Sequence, residues 1–417
     1  MSALAFTQLF LFFLILTLIV RFWLAVRQLY TVKKFSDNVP KQFAGRITLP
    51  AHQKAAAYTI AKTRFSLVSL TVDTVVLLGF TLFGGLQYLA GSISAHISND
   101  MICQIALIFA VCIIAGMFDL PLDYYRKFVI EENFGFNKMT PSLYLGDMIK
   151  NALLGTTIGL PVLWILLVIM EKTGTWWWLY AWILWSAFQY LMLFIYPTFI
   201  APLFNKFSPL TDEKLRSQIE QLMQRVGFRS KGLYIMDGSK RSSHGNAYFT
   251  GFGTAKRVVF FDTLIERLSP EEIEAVLAHE LGHFRLKHVV KRIVFTSAAS
   301  LVFLALLGFL KNESWFYAGL GIAPDLASNA VALVLFALTL PIFTFFLSPL
   351  LSMGSRKHEF EADDFSARHT DAGHLVSALV KMYEDNASTL TPDPLHSAFY
   401  DSHPPASIRI NHLLRHS

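Results

Sequence analysis

The sequence has few charged residues and almost no cysteine. Of its 417 residues, 16% are charged, and the two cysteines are Cys103 and Cys112. Both lie in or beside an apolar run, which argues against a disulfide framework and against a thiolate metal site. The net charge is +6, but the basic residues do not form a stripe beside a known nucleic-acid-binding motif. The sequence therefore gives no support for a nucleic-acid partner.

Long apolar runs are what the sequence has in abundance. It is 53% hydrophobic, with a mean hydropathy of +0.44. A transmembrane helix needs about 20 apolar residues. Seven runs are long enough, at 4–26, 66–90, 102–122, 148–170, 176–199, 292–311 and 330–353. No basic residues precede the first run and no small-residue cleavage site follows it, so we expect it to be a retained helix. The fold class predicted is an all-α protein with seven transmembrane helices.

The distribution of basic residues predicts the topology. The segment after the first run is rich in Lys and Arg, namely Arg27, Lys33, Lys34, Lys41, Arg46, Lys54, Lys62 and Arg64. The next connection, 91–101, has none. Basic connections face the cytoplasm, so the N-terminus is predicted outside. Seven spans then place 200–291 and the segment after 354 together on the cytoplasmic side.

Residues 200–291 are more polar and predict a small α+β portion. An amphipathic helix is expected over 210–226, with Thr211 as its N-cap. Ser269 followed by Pro-Glu-Glu is typical of a helix start. Serine is a common N-cap, proline is well suited to the first helical position, and acidic side chains are stabilised by the positive end of the helix dipole. Short strands are predicted at 232–236, 246–250 and 257–262.

The helix that begins at Ser269 carries the sequence His-Glu-Leu-Gly-His at 279–283. Residues four apart share a helix face, so His279 and His283 can offer imidazole nitrogens to one Zn²⁺. Glu280 points about 100° away, a position that suits a base acting on zinc-bound water. Gly282 permits a close approach by another element. The alternative is an ordinary helix with polar residues facing water.

A third ligand is expected in the segment 355–364, directly after the seventh apolar run. A helix here places Glu359 and Asp363 on one face. Glu359 would bind the metal, and Asp363 would accept a hydrogen bond from a ligand histidine. Glu361 points elsewhere. A solvated acidic helix start is the alternative for this segment.

Two further polar residues are noted without an assigned role. His288 lies five residues past His283, off the ligand face of a continuous helix, and is expected to be a satisfied polar residue at the membrane boundary. Asp73 falls inside the second apolar run, where a charge is costly, so it is a functional candidate.

Taken together, these motifs resemble those of the type 1 CAAX prenyl endopeptidases, a family of integral-membrane gluzincins. The resemblance is carried by HELGH at 279–283 and SRKHEFEAD at 355–363. Further stretches match the same family, at 128–137, 196–206, 238–248 and 402–405. The resemblance implies a hollow barrel of seven tilted membrane helices around a water-filled chamber. It also implies removal of the last three residues from a prenylated CAAX C-terminus.

The resemblance implies roles for individual residues. One Zn²⁺ per chain would be held by His279, His283 and Glu359, with Glu280 as the general base. Asp363 matches a second carboxylate that is sometimes assigned as a proton donor. His403 and Arg409 match positions that steady the oxyanion or the terminal carboxylate of the substrate. The edge segment that hydrogen-bonds the extended substrate matches Asn246, Ala247 and Tyr248.

The predicted organisation has four parts: membrane helices 1–5 in 1–199, a cytoplasmic zinc-protease portion in 200–291, helices 6–7 in 292–353, and a cytoplasmic C-terminal portion in 354–417. The expected partners are a peptide or prenylated C-terminus and membrane lipid, and the chain is expected to be a monomer. A bacterial inner membrane or an endoplasmic reticulum fits equally. Two alternatives stay open: a protease for unprenylated or misfolded peptides, and a non-enzymatic chamber with structural zinc.

Overall fold

The computed structural model describes residues 1–228, 230–250 and 257–415. Within these residues, seven helical stretches are long and apolar enough to cross a membrane. Their bounds are Ala3–Lys34, Leu49–Phe80, Asp100–Glu131, Pro141–Lys172, Gly174–Phe204, His288–Leu310 and Asn329–His369. The predicted class, a seven-helix membrane protein with a small sheet, is confirmed.

The N-terminal half consists of helices. They are α1 (Ala3–Lys34), α2 (Leu49–Phe80), α3 (Gly85–His96), α4 (Asp100–Tyr125), α5 (Pro141–Lys172), α6 (Trp177–Ile195) and α7 (Ala201–Phe204). A π-helical segment, Arg126–Glu131, continues α4, and another, Tyr196–Ile200, joins α6 to α7. Pro197 lies in the second segment. Because proline has no N–H to donate, the regular hydrogen-bond ladder is interrupted there.

The second span was predicted at 66–90, and this was wrong at both ends. Helix α2 begins seventeen residues earlier, where the Thr48 hydroxyl accepts a hydrogen bond from the Ala51 N–H. It ends at Phe80, before a turn in which Gly84 has a left-handed φ of 76°. Apolar content alone could not locate these ends, because a cap and a turn residue set them.

The polar portion adds a four-stranded sheet. Its elements are β1 (Phe207–Pro209), α8 (Glu213–Arg225), β2 (Gly232–Met236), β3 (Ala247–Thr250), β4 (Arg257–Phe261), α9 (Asp262–Arg267) and α10 (Pro270–Arg285). The strand order is β1-β2-β4-β3, with β2 and β4 parallel and the other pairs antiparallel. All three predicted strands are present. Strand β1, three residues long, was missed because it is too short to show an alternating pattern. Strand β3 forms one edge of the sheet.

Capping side chains start two helices of this portion, α8 and α10. Asp212, rather than the predicted Thr211, caps α8, and its carboxylate accepts from the Leu215 N–H at 3.0 Å. Ser269 caps α10 as predicted. Its hydroxyl accepts from the Glu272 N–H at 3.3 Å, and the Glu272 carboxylate accepts from the Ser269 N–H at 2.8 Å. This reciprocal pair satisfies two N–H groups at the start of α10.

The C-terminal half returns to the membrane and then leaves it. Its helices are α11 (His288–Leu310), α12 (Ser314–Ala318), α13 (Asn329–Thr344), α14 (Ser348–His369), α15 (Ala372–Asp385), α16 (Pro394–Tyr400) and α17 (Ala406–Leu413). A 3₁₀ turn, Phe345–Leu347, separates α13 from α14. The predicted seventh span, 330–353, therefore covers α13 and only the beginning of α14. Helix α14 runs on without a break through the predicted boundary at 354.

Two large apolar cores, beside a smaller one around Tyr58 and Phe136, are found among the described residues. One lies between the membrane helices and includes Phe10, Leu86 and Leu335. The other lies in the polar portion and joins distant parts of the chain: Phe43, Ile47, Ile219, Phe260, Ile273 and Val376. Full burial of a large apolar side chain of this kind contributes about 1.5–3 kcal/mol to the free energy of unfolding. The first connection, after α1, is therefore part of the polar portion.

A cavity of about 1090 Å³ lies among the membrane helices. Its lining combines apolar side chains with the charged residues Asp119, Asp123, Lys127, Asp147 and Arg241. Ionisable groups at membrane depth face a bundle interior or water rather than lipid. The cavity therefore combines apolar and charged groups where α4, α5 and the segment after α6 meet Arg241 of the polar portion.

Candidate metal centre

The two histidines of the HELGH sequence lie side by side on α10. Their Nε2 atoms are 3.2 Å apart, and His279 is buried while His283 is half-buried. Helix α10 packs closely against α14 at Gly282. A Cβ atom there would lie 3.0 Å from the Phe365 Cβ and 3.1 Å from the Ala362 Cα. Glycine at 282 therefore lets the backbone of α14 approach the histidines.

Helix α14 brings Glu359 to these histidines. Its Oε1 lies 3.3 Å from the His283 Nε2, and its Oε2 lies 3.5 Å from the His279 Nε2. Donors at about 2.0–2.1 Å from a tetrahedral zinc ion are about 3.3 Å apart. Among the described residues, the buried Glu359 Oε2 has no hydrogen-bond partner. This carboxylate oxygen has free lone pairs that a bound cation would satisfy. The side chains of His279, His283 and Glu359 therefore fit a metal ion.

Asp363 and Arg409 support His279 on its Nδ1 side, opposite the Nε2 that faces Glu359. Asp363 is fully buried, and its Oδ1 lies 2.8 Å from the His279 Nδ1. Arg409 is also buried and donates to both Asp363 oxygens, from Nε at 2.9 Å and from Nη2 at 2.5 Å. The Asp363 contact fixes a proton on the His279 Nδ1 and leaves Nε2 free to bind a metal.

The electrostatics of the centre favour positive charge at His279. Burial alone lowers the pKa of this imidazole, but the adjacent carboxylates of Asp363 and Glu359 outweigh burial and raise the pKa to about 9. The pKa of Arg409 is raised too: its desolvation on burial is outweighed by the neighbouring carboxylates of Asp363 and Glu359. The buried carboxylates of Asp363 and Glu359 thus both lie against the His279 ring. A bound cation satisfies the same demand for positive charge.

Two other predicted residues border this cluster. Glu280 follows His279 on α10 and is half-buried. The His403 side chain is 60% exposed, and its Nε2 lies 3.3 Å from the Glu359 Oε1. His403 therefore stands on the open side of the cluster, whereas Arg409 stands on the closed side. The structure thus brings His403 and Arg409, which are distant in the sequence, to the side chains of α10 and α14.

The predicted substrate segment lies at the edge of the sheet. Ala247 and Tyr248 belong to β3, and α10 packs against this strand. Asn246 is exposed, its side-chain oxygen accepts from the Ala247 N–H at 2.8 Å, and its carbonyl accepts from the Phe261 N–H at 2.9 Å. An edge strand can accept an extended peptide as a further strand.

Hydrogen bonds tie the segment before β3 to the membrane helices. Arg241 donates to both Asp147 oxygens, at 2.8 and 3.1 Å, and to the Asn205 side chain at 2.9 Å. The rings of His244 and Phe136 stack at 4.6 Å. Three stretches quoted for the resemblance, 128–137, 196–206 and 238–248, therefore converge beside β3.

His288 has a place that the sequence did not predict. Spacing on a continuous helix put it off the ligand face, but α10 ends at Arg285 and Lys287 takes a left-handed φ of 58°. The chain turns back, and the His288 Nδ1 comes within 3.0 Å of the His283 Nδ1. The only sequence signal was a third histidine shortly after the HELGH helix. Asp73, the other open candidate, is exposed on α2 and stays without a role.

Family models match almost the whole chain. A model described as the CAAX prenyl protease N-terminal region with five membrane helices matches residues 28–206, and a model of peptidase family M48 matches residues 209–417. The chain belongs to peptidase family M48. It is a membrane metallopeptidase, and the family implies a metal cofactor, for which His279, His283 and Glu359 form a candidate site.

Relatives of this M48 peptidase are similar over at least 90% of their length. It is 36% identical to a CAAX prenyl protease 1 homolog of Oryza sativa, over 99% of this chain and 98% of the relative. It is 34% identical to the CAAX prenyl protease 1 of Saccharomyces cerevisiae, over 91% and 90%. The crystal structure of S. mikatae Ste24p matches with a TM-score of 0.91 and 32% identity, over 98% of this chain and 99% of that one.

Proposed function

We propose that this M48 peptidase is a zinc-dependent endopeptidase that removes the C-terminal tripeptide from prenylated CAAX proteins. The observation that carries the proposal is the cluster of His279, His283 and Glu359, with donor separations of 3.2 to 3.5 Å. The substrate class comes from relatives that bear the name CAAX prenyl protease 1 and align with at least 90% of this chain.

In this proposal His279, His283 and Glu359 would hold one zinc ion. When bound, zinc lowers the pKa of a coordinated water to about 7. Glu280 accepts a proton from the attacking water and then donates it to the nitrogen of the leaving peptide. Asp363, held by Arg409, keeps the His279 ring in the tautomer that the metal needs.

Two cationic or N–H-bearing groups are proposed to act on the substrate. His403 stands on the open side, 3.3 Å from Glu359, where its Nε2 can donate to the developing oxyanion. Arg409 has Nε and Nη2 engaged by Asp363, and its Nη1 lies 3.6 Å from the Glu359 Oε2. Because Arg409 is buried on the closed side of the cluster, the support of Asp363 is proposed as its main role. Nη1 is the nitrogen that could steady a substrate oxygen or the terminal carboxylate only if the substrate reaches that side.

We propose that the substrate binds along β3. The edge of this strand that lies opposite β4 would pair with an extended backbone, so that alignment depends little on substrate side chains. Asn246 stands just before the strand, and Ala247 and Tyr248 form its first part. The packing of α10 against β3 supports a scissile bond held close to Glu280.

The active site is proposed to face the cytoplasm. Arg27, at the end of α1, donates to Asp393 at 3.2 and 3.0 Å, and Phe43 and Ile47 belong to the core of the polar portion. The basic first connection and the metal centre are therefore on one side of the membrane helices. Connections rich in Lys and Arg face the cytoplasm.

Cleavage of matched peptides tests the substrate. The purified protein in detergent is given a farnesylated CAAX peptide and its unprenylated twin, each with and without a zinc chelator. We expect cleavage only of the farnesylated peptide, between the cysteine and the next residue, and its loss with chelator. Equal cleavage of both peptides would instead favour a broader peptide-degrading function. Zinc binding without cleavage of either would favour a non-enzymatic chamber.

Substitution of His403 tests the oxyanion role. We expect His403→Ala to lower kcat by about 10²–10³-fold, the usual cost of losing one oxyanion donor. Metal content and KM should change little, because the side chain stands outside the three-donor cluster. Steady-state kinetics and elemental analysis on one preparation measure both. Loss of the metal would make His403 a ligand, and an unchanged kcat would contradict the proposed role.

A further inference from the structure

A second line of hydrogen bonds leads away from the metal centre through His283. The His283 Nδ1 lies 3.0 Å from the His288 Nδ1, and the His288 Nε2 lies 2.8 Å from the Glu361 Oε2. The three side chains form a continuous chain from the cluster to a carboxylate. Asp363 does the same for His279, so each histidine of the cluster has its own support.

Only one arrangement of protons satisfies this chain when His283 binds a metal. The ring must offer the lone pair of Nε2 to the metal, so its proton is on Nδ1. That N–H can donate only to an unprotonated His288 Nδ1. The neutral His288 ring then carries its proton on Nε2, from which it donates to Glu361. The carboxylate thus determines the tautomer of His288, and His288 determines that of His283.

The backbone is shaped to make this contact. Lys287 has a left-handed φ of 58°, a conformation that residues other than glycine rarely adopt. The turn places His288 at the first position of α11, directed back toward His283. His288 is only 4% exposed, and the His358 ring stacks on it at 4.1 Å and 13°. The imidazole is therefore held in one orientation by contacts on several sides.

The same residues could be considered as a second metal site, since ligand atoms of His288, His358 and Glu361 lie within 4.8 Å of one another. The geometry is unfavourable. The rings of His288 and His358 are nearly parallel, so their in-plane lone pairs cannot converge on one ion. A metal on the His288 Nε2 would also displace the proton donated to Glu361.

We propose that His288 and Glu361 are positioning residues that fix the metal-binding tautomer of His283. The proposal rests on the proposed metal site but on no particular substrate. Outer hydrogen bonds of this kind typically change metal affinity by about 10–100-fold. Neither residue touches the reacting atoms, so the effect is expected in metal affinity first.

The test compares substitutions that keep or remove each hydrogen bond. His288→Asn places an amide oxygen near the position of Nδ1, where it can accept from His283, whereas His288→Leu cannot. Glu361→Gln keeps an acceptor for His288, whereas Glu361→Leu does not. His358→Phe keeps a stacked ring and serves as the control. Each full-length protein is titrated with a zinc chelator, and the absorption bands of its cobalt form are recorded.

We expect the two leucine variants to lose zinc at about 10–100-fold lower chelator concentrations and to show shifted cobalt bands. The variants His288→Asn, Glu361→Gln and His358→Phe should stay close to the parent, because each preserves the relevant contact. Parent-like affinity and bands in both leucine variants would overturn the proposal while leaving the metal site intact. Two zinc ions per chain in the parent would overturn it as well. A parent that binds no zinc would instead refute the metal site itself.

Discussion

Glu280→Gln is expected to lower kcat by at least about 10²–10⁴-fold, the usual contribution of a general acid–base group. The amide has nearly the shape of the carboxylate but cannot accept a proton from water. Because Glu280 is not among the three clustered donors, the zinc content should stay at one per chain. Turnover of the farnesylated peptide and elemental analysis of the same preparation measure the two quantities.

The combination of results makes this test specific. Loss of both zinc and activity would mean that Glu280 supports the metal rather than the proton transfer. Full activity with zinc bound would refute its assignment as the base. Glu274, another glutamate of α10, is ion-paired with Arg225, so Glu274→Gln is a matched control that should leave turnover nearly unchanged.

The second large effect is expected for Glu359→Ala, which should lose the metal and with it all turnover. Removal of one of three protein donors leaves only His279 and His283, and a catalytic zinc site normally has three protein ligands. The purified variant should contain almost no zinc when the parent, prepared in parallel, contains one per chain. Elemental analysis decides this without reference to any substrate.

Glu361→Ala is the control for this loss, since Glu361 is two residues away on the same helix and contacts His288 instead of the cluster. We expect it to be purified with one zinc per chain, held less tightly against a chelator because the support for His283 is weakened. Stoichiometric zinc in Glu359→Ala would contradict the assigned ligand. Absence of zinc from Glu361→Ala, with zinc retained in Glu359→Ala, would mean that Glu361 rather than Glu359 is the ligand.

Much of the metal centre could be predicted because its signals are local. A helix of 3.6 residues per turn places His279 beside His283 and Glu359 beside Asp363, whatever the rest of the chain does. The start of α10 was equally local, since Ser269 and Glu272 cap each other within four residues. The seven apolar stretches follow from the thickness of the membrane.

Predictions failed where the end of a helix or the direction of the chain is set by a single cap or turn residue rather than by apolar periodicity. The second span was misplaced because Thr48 and the turn at Gly84 set the ends of α2. His288 was correctly expected to be a satisfied polar residue, but its contact with His283 was not predicted because a continuous helix was assumed, whereas the left-handed Lys287 turns the chain back. No periodicity in the sequence predicts a single residue in that conformation.

The sequence by itself determined the kind of centre: two histidines and a glutamate on one helix, and two carboxylates on another, in a chain of seven apolar spans. Only the tertiary structure decided that these helices meet, through the close approach at Gly282, and that Arg409 and His288 stand behind the two histidines. The physical reason is one of range. Helical spacing depends on neighbours within one turn, whereas the position of one helix against another depends on packing between segments far apart in the chain.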